Sequence, residues 1–324
     1  MKIVIAPDSF KGSLTAAEAA EAIETGFRAV YPDAEYVKVP MADGGEGTVQ
    51  SLVDATSGTI ITQLVSGPMG DMVAGFFGIL GDRQTAVIEM AAASGIHWVR
   101  PKERDVFLAS SFGTGQLINA ALDRGCDKLI VGLGGSATND GGMGMMKALG
   151  ARFFDQDGVQ LTADVRALLQ LESIDLQYLD PRLDKTEIVV ACDVDNPLCG
   201  ENGAARVFGP QKGATEEDIA VLDQALTRYG DILSANAGRD IASEPGAGAA
   251  GGMGAAFIGL IDAVLKPGVD IVIEIVDLAN SLVDANLVIT GEGRVDNQTI
   301  HGKTPTGVAK VAKSCNLPVI CIAG

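Results

Sequence analysis

Residues 134–142 read Gly-Gly-Ser-Ala-Thr-Asn-Asp-Gly-Gly, so one short run offers flexible backbone, two hydroxyls, an amide and a carboxylate. The apolar run Leu129-Ile130-Val131 before it reads as a buried strand, and Met145, Met146 and Leu149 after it read as a helix. Strand, glycine-rich turn and helix is how a chain presents N–H groups to an anion. Glycine permits close approach, and the helix N-terminus supplies unpaired donors and a positive dipole end. Taken alone, such a turn is more simply a capped strand-to-helix connection. Three further strand-like runs change the weighting, because they end in Asp8-Ser9-Lys11, in Asp193-Asp195-Asn196 and in Glu292-Arg294-Asp296. In an open α/β sheet, ligands bind beyond the carboxyl ends of the strands. Carboxylates, cations and glycines gathered there suit phosphoryl transfer. That reaction needs Mg2+ held by one or two carboxylates, cations on the moving group and an acceptor for the hydroxyl proton.

The elements that must position these residues follow from periodicity. Lys2 to Ala6 reads as a strand, and Thr15 with Glu18 forms a capping box for a helix whose stripe is Ile23, Phe27 and Val30. Glu35 to Val39 is a second strand, and Asp43-Gly44-Gly45-Glu46-Gly47 opens a helix through Val49, Leu52 and Val53. This βαβα start indicates a parallel sheet covered by helices. Residues 59–65, 72–80 and 85–89 then follow too closely for crossover helices, so they read as an antiparallel meander, with a domain boundary near residue 60. Alternation resumes at Ser110. Residues 188–192 form another strand, Thr215 with Asp218 caps an amphipathic helix, and residues 162–185 give no clear pattern. Strands at 287–290 and 318–323 close the sequence. A parallel strand normally continues into a covering helix, so more chain is expected to follow Gly324.

Three segments share a GGxG core at an expected helix start, at residues 44–47, 141–144 and 251–254, which suggests an anion-rich site. Two other motifs are weak. Gly132-x-Gly134-x-x-Ala137 resembles a dinucleotide fingerprint but fills its turn with polar residues, and Gly302-Lys303-Thr304 resembles the end of a P-loop without the required earlier glycine, since Asn297 stands there. Of the two histidines, His97 beside Trp98 reads as structural and His301, near Arg294 and Lys303, is a lesser site candidate.

The totals exclude whole classes. A net charge of −18 argues against nucleic acid and anionic membranes as partners, while leaving room for an anionic small substrate held by a few placed cations. No stretch reaches membrane-span length, and the opening MKIVIAPDSF reads as a first strand rather than a signal peptide. Five scattered cysteines without a Cys-x-x-Cys pair fit a reducing cytoplasm and no cysteine metal site.

Long collinear segments, among them APDSFKGS (6–13), ADGGEGT (42–48), GGSATNDGG (134–142), ACDVDNPLCG (191–200), NGAARVFGPQKGA (202–214) and TGEGRVDNQTIHGK (290–303), resemble the bacterial glycerate kinases over the whole chain. The resemblance implies ATP- and Mg2+-dependent phosphorylation of D-glycerate to 2-phosphoglycerate in glycolate, glyoxylate and aldaric-acid breakdown. It implies two α/β domains with a cleft between them. A discontinuous flavodoxin-like parallel-sheet domain (1–60 plus 285–324) would carry a larger inserted mixed α/β domain (61–284), and strands 2–6, 35–39, 287–290 and 318–323 would share one sheet. The family's chains continue past this sequence's end, through a further strand and helices. Laid on its motifs, Lys11 is expected on the glycerate carboxylate and Arg294 as a second carboxylate or phosphate cation, with Asp8, Ser9, Gly45, Glu46 and Asp296 nearby. Gly134, Gly135, Ser136, Asn139, Asp140, Gly141 and Lys212 are expected on ATP phosphates. Asp193 is expected as general base or Mg2+ ligand, with Asp140 as a second Mg2+ ligand. A homodimer is an open assembly. The competing readings are a nicotinamide-dependent hydroxy-acid dehydrogenase and a non-catalytic sugar-acid sensor on the same scaffold.

Overall fold

The structure, a computed structural model, describes residues 1–295 and 303–324. Its elements begin β1 (Lys2–Ile5), α1 (Ala16–Arg28), β2 (Glu35–Lys38), α2 (Thr48–Thr56), β3 (Thr59–Ser66), β4 (Met72–Ile79), β5 (Thr85–Glu89) and α3 (Ala91–Ser94). They continue with α4 (Phe112–Leu122), β6 (Lys128–Gly132), α5 (Met143–Ala148), β7 (Arg152–Phe154), β8 (Ser173–Asp175), β9 (Glu187–Ala191), α6 (Ala204–Phe208) and α7 (Glu216–Ala237). The last are α8 (Ala249–Leu260), β10 (Val264–Lys266), α9 (Gly268–Ile275), α10 (Leu278–Ser281), β11 (Leu287–Glu292), α11 (Thr304–Ser314) and β12 (Val319–Ala323). Among the described residues no helix is long and apolar enough to cross a membrane.

The chain divides into two compact units, one of Met1–Thr59, Leu80–Asp82 and Lys266–Gly324, the other of Ile60–Ile79 and Arg83–Leu265. The first unit is built on a sheet in the order β12-β11-β1-β2 with parallel neighbours throughout. Ile3, Ile5, Ala20 and Ile289 are fully buried against it. The continuous apolar runs of β1 and β11, with Ile3, Val4, Ile5, Val288 and Ile289 all buried, are covered on both faces, as a parallel sheet requires. The Thr15–Glu18 capping box starts α1. Val30, expected on that helix's stripe, instead lies past its end and is exposed, because Phe27 O accepts both Val30 N and Tyr31 N in a closing turn.

The return to the first unit comes at Lys266 and not near 285, since α9 belongs with α11 and the 43–47 turn. A Cβ on Gly307 would lie 2.5 Å from Val269 Cγ2, and one on Gly268 would lie 2.0 Å from Asp43 O.

The second unit has a six-stranded mixed sheet in the order β10-β9-β6-β5-β4-β3. β4 and β5 pair antiparallel, whereas β5, β6 and β9 run parallel with Glu89, Gly132 and Ala191 aligned. Residues 162–185, which carry no periodicity, form short 3-10 turns and β8, which pairs with β7 in a separate two-stranded sheet. α7, opened by the Thr215–Asp218 capping box, sends Leu222, Leu226, Tyr229 and Leu233 into one large core with Phe77, Phe153 and Phe257.

Candidate active site

In the first unit, the carboxyl ends of β1, β2 and β11 bring polar residues together. Asp8 N donates to Gly291 O at 2.8 Å and Met41 N to Pro7 O at 2.9 Å, so the segments leaving the three strands run side by side. Asp8 is only 8% exposed. Its Oδ1 accepts Ser9 N at 2.6 Å and its Oδ2 accepts the Thr304 hydroxyl at 2.6 Å from the first residue of α11. Burial, and then the Asp43 charge, push the Asp8 carboxyl up to about 6, against the Thr304 and Ser9 hydrogen bonds and the nearby Lys11. Desolvation penalises the charged form and a second carboxylate repels it. Asp43 Oδ1 in turn accepts Gly45 N at 3.1 Å. Lys303 Nζ stands 3.8 Å from the buried Glu292. Lys11, Glu46 and Arg294 are exposed, while Ser9 and Gly45 are half-buried. Asp296 and His301 lie outside the described residues, as does Gly302 of the P-loop-like motif.

In the second unit, Leu133 N donates to Ala191 O at 3.2 Å, so the turns after β6 and β9 leave the sheet together. Gly134, Gly135 and Asp193 are all exposed at this end. From Gly135 the chain does not enter a helix. Ile96 N donates to Gly135 O and Ala137 N to Ser94 O, both at 2.9 Å, and α5 begins only at Met143. The dinucleotide fingerprint therefore lacks the helix N-terminus that would meet a pyrophosphate.

The structure corrects the reading of the deeper part of this turn. Ser136 is almost covered, and Asn139, Asp140, Gly141 and Lys212 are buried. Asp140 Oδ2 accepts Ser111 N at 2.8 Å, Ser111 Oγ at 2.7 Å and Gly144 N at 3.1 Å, and its Oδ1 accepts Gly142 N at 3.1 Å. Ser111 Oγ also accepts Met145 N at 2.8 Å. One carboxylate and one hydroxyl thus cap the starts of both α4 and α5. The position where an anion would meet the α5 N-terminus is already filled by an anion of the chain itself. Asp140 has neither the exposure nor the spare direction of a Mg2+ ligand.

Lys212 likewise points inward. Its Nζ donates to Thr138 O at 2.6 Å and lies 3.5 Å from Asn139 Oδ1. Burial pushes it down to about 7, with Asp140 as a weaker opposing influence. It braces the turn from behind and touches no surface that a phosphate would reach. Asn139 Nδ2 and Tyr229 Oη are buried with no hydrogen-bond partner. Two of the GGxG echoes are packing devices. The 141–144 and 251–254 segments interlock through Gly141 N donating to Gly251 O, and a Cβ on Gly251 would lie 1.9 Å from Thr138 O. An apolar groove of about 480 Å³ beside α1, lined by Phe10, Leu14, Ile23, Phe27 and Ile322 among others, carries no charged residue and offers a polar anion nothing.

Sequence reasoning passed over Asp43, Thr304, Ser111 and Glu89. Asp43 opens a motif singled out for its glycines, and Glu89 ends β5 in register with Gly132. Thr304 reaches Asp8 across 296 residues of chain, so no local pattern announces it.

The sequence pattern of the glycerate kinase family matches residues 3–324. The glycerate kinase of Bacillus subtilis is 58% identical over 324 residues, covering 100% of this chain and 85% of the relative. The glycerate 2-kinase of Escherichia coli K12 is 53% identical with the same coverage of each chain. A crystal structure assigned as a glycerate kinase 2 from Salmonella typhimurium LT2 superimposes with a TM-score of 0.95 at 55% identity, covering 100% of this chain and 87% of that one.

Proposed function

The chain belongs to the glycerate kinase family of phosphotransferases, and from that premise we propose that it transfers the γ-phosphoryl group of ATP to D-glycerate, giving 2-phosphoglycerate. The observation that carries the site assignment is Lys11 beside the desolvated Asp8 at the carboxyl ends of the first unit's parallel strands, with Gly293, the residue before Arg294, packed against the Phe10–Lys11 backbone. Lys11 and Arg294 bind the glycerate carboxylate, a planar anion that suits an ammonium and a guanidinium. Asp8, Ser9, Gly45 and Glu46 form the surrounding surface, and Asp296 is kept with them on the strength of the sequence alone. In the second unit, Gly134 and Gly135 offer exposed backbone to phosphate oxygens, with Ser136 at their edge. Asn139, Asp140, Gly141 and Lys212 hold that turn in shape from beneath.

Among the described residues no group of three or more His, Cys, Asp or Glu side chains stands ready to cage a cation. That fits Mg2+ arriving on the nucleotide, since this ion keeps its waters and takes one or two carboxylates plus phosphate oxygens. Asp193, exposed beside Gly134 and Gly135, is the side chain that would hold it, and the ion would neutralise charge on the transferring group. This enzyme would act in the cytoplasm on glycerate released by glycolate, glyoxylate or aldaric-acid breakdown.

The test is a coupled ADP-release assay with D-glycerate, ATP and Mg2+, with phosphorus NMR of the product. Formation of 2-phosphoglycerate is expected. ATP turnover that ignores glycerate, or a 3-phospho product, would overturn the reading or its regiochemistry respectively. Lys11→Ala is expected to raise KM for glycerate at least tenfold, about the 1.4 kcal/mol of one exposed charge-assisted contact.

A further inference from the structure

We infer that Asp8 is the catalytic base that takes the proton from the attacking glycerate hydroxyl, and that Thr304 is the positioning residue that aims it; this rests on the kinase reading above. Three strand-end aspartates compete for the role. Asp140 is saturated by four donors and sealed from solvent. Asp193 stands exposed on a turn whose neighbours Val194 and Asp195 are also exposed. Asp8 is the buried one beside a substrate-binding cation, Lys11.

Its geometry is fixed from two sides. Ser9 N holds Oδ1 and the Thr304 hydroxyl holds Oδ2, one donor on each oxygen. An ionised carboxylate has about four acceptor positions, so each oxygen keeps one for a substrate hydroxyl. The supports are rigid elements, the inner strand β1 that ends three residues before Asp8 and the first turn of α11, which is where a base needs to be anchored.

The electrostatics agree with the geometry. Asp43 from the turn before α2 and Lys11 from the loop after β1 act directly on Asp8. Glu292 at the end of β11 and Lys303 at the cap of α11 form the next pair of charges. Burial and Asp43 outweigh Lys11, Thr304 and Ser9, so the carboxyl sits at about 6. At neutral pH it is ionised, yet more basic than a solvated aspartate, as a general base should be. In the step itself, Asp8 takes the hydroxyl proton as that oxygen bonds to the γ-phosphorus. The bond from the γ-phosphorus to the bridging oxygen breaks, and its electron pair leaves with ADP.

The experiment measures kcat and KM for D-glycerate from about pH 5 to about pH 9, at several Mg2+ concentrations, for the wild-type chain, Asp8→Asn and Thr304→Val. Far-UV circular dichroism verifies the fold of each. The wild type is expected to lose kcat/KM on the acid side. Asp8→Asn should lower kcat by roughly 10²- to 10⁴-fold, with KM and the Mg2+ requirement little changed. Thr304→Val removes a bond that favours the charged form, so its acid limb should move to higher pH while kcat stays above that of Asp8→Asn. A purely structural threonine would lower activity without moving that limb. Asp8→Asn within about threefold of wild-type kcat, an unmoved limb in Thr304→Val, or recovery of Asp8→Asn by added Mg2+ would each overturn the assignment. A wild-type chain that makes ADP with glycerate while any of these holds sinks the base and spares the kinase reading. A wild type that makes none removes both.

Discussion

Asp8 and Lys212 carry opposite pH signatures. The Asp8 carboxyl is raised from 3.8 to about 6, so the folded chain binds more protons than the unfolded one between those values. Its contribution to stability is therefore full at low pH and is lost as pH rises through about 6. At neutral pH the ionised, buried Asp8 is a cost to the fold. Asp8→Asn should stabilise the fold by about 1–2 kcal/mol near neutrality, less than two pKa units would allow because the amide forfeits one hydrogen bond. Urea unfolding at pH 7.5 and pH 4 measures it, both being conditions chosen on about either side of the titration, and the gain should vanish at the lower one. Lys212 is lowered from 10.5 to about 7, so between these values the unfolded chain binds more protons and stability rises with pH. Lys212→Met should flatten the rise in Tm between about pH 7 and about pH 9, and an unchanged slope would show that another group causes it.

The turn between β6 and α5 shows how elements are joined. Asp140 and Ser111 cap α4 and α5 together, so Asp140→Ala leaves buried N–H groups at two helix starts without acceptors. A loss of roughly 3–4 kcal/mol is expected from two caps and a broken buried network, read as a fall in the urea midpoint. Gly251 has φ +70 and its missing Cβ faces Thr138 O at 1.9 Å. Gly251→Ala should cost roughly 2–4 kcal/mol from strain and a backbone clash. Because the displaced atom is on the turn braced by Lys212, KM for ATP should rise in the same variant. Unchanged stability in either would mean that these contacts relax far more easily than close packing allows.

The second unit, Ile60–Ile79 and Arg83–Leu265, is the larger, and a larger domain buries a greater fraction of its surface. The first buries Ile3, Ile5 and Ile289 together with Leu52, Val272, Val308 and others, while the second has one extensive cluster running from Val65 to Ala263. Trp98, the only tryptophan, is in the second unit. Urea unfolding followed by tryptophan fluorescence should therefore give a higher midpoint than far-UV circular dichroism, which sees both units. Coincident curves would show that the units unfold as one. A charge of −18 adds self-repulsion throughout, so moderate salt should raise both midpoints.

Sequence alone determined the elements whose causes are local. The Thr15–Glu18 and Thr215–Asp218 boxes close within three residues, and the apolar runs of β1, β6, β9 and β11 mark strands wherever they pack. Periodicity also showed that polar residues cluster at strand ends. It could not tell which way those side chains point, because that depends on what arrives from distant chain. Asp140 and Lys212 look like ligand-binding residues until the start of α4 and the back of the Thr138 turn claim them. Asp8 looks like one polar residue among several until β1 is buried between its neighbours and Thr304 arrives from the far end of the chain. Desolvation and charge coupling exist only once those surfaces meet, so only the tertiary structure separated the carboxylate desolvated at a strand end from the residues that hold the turn.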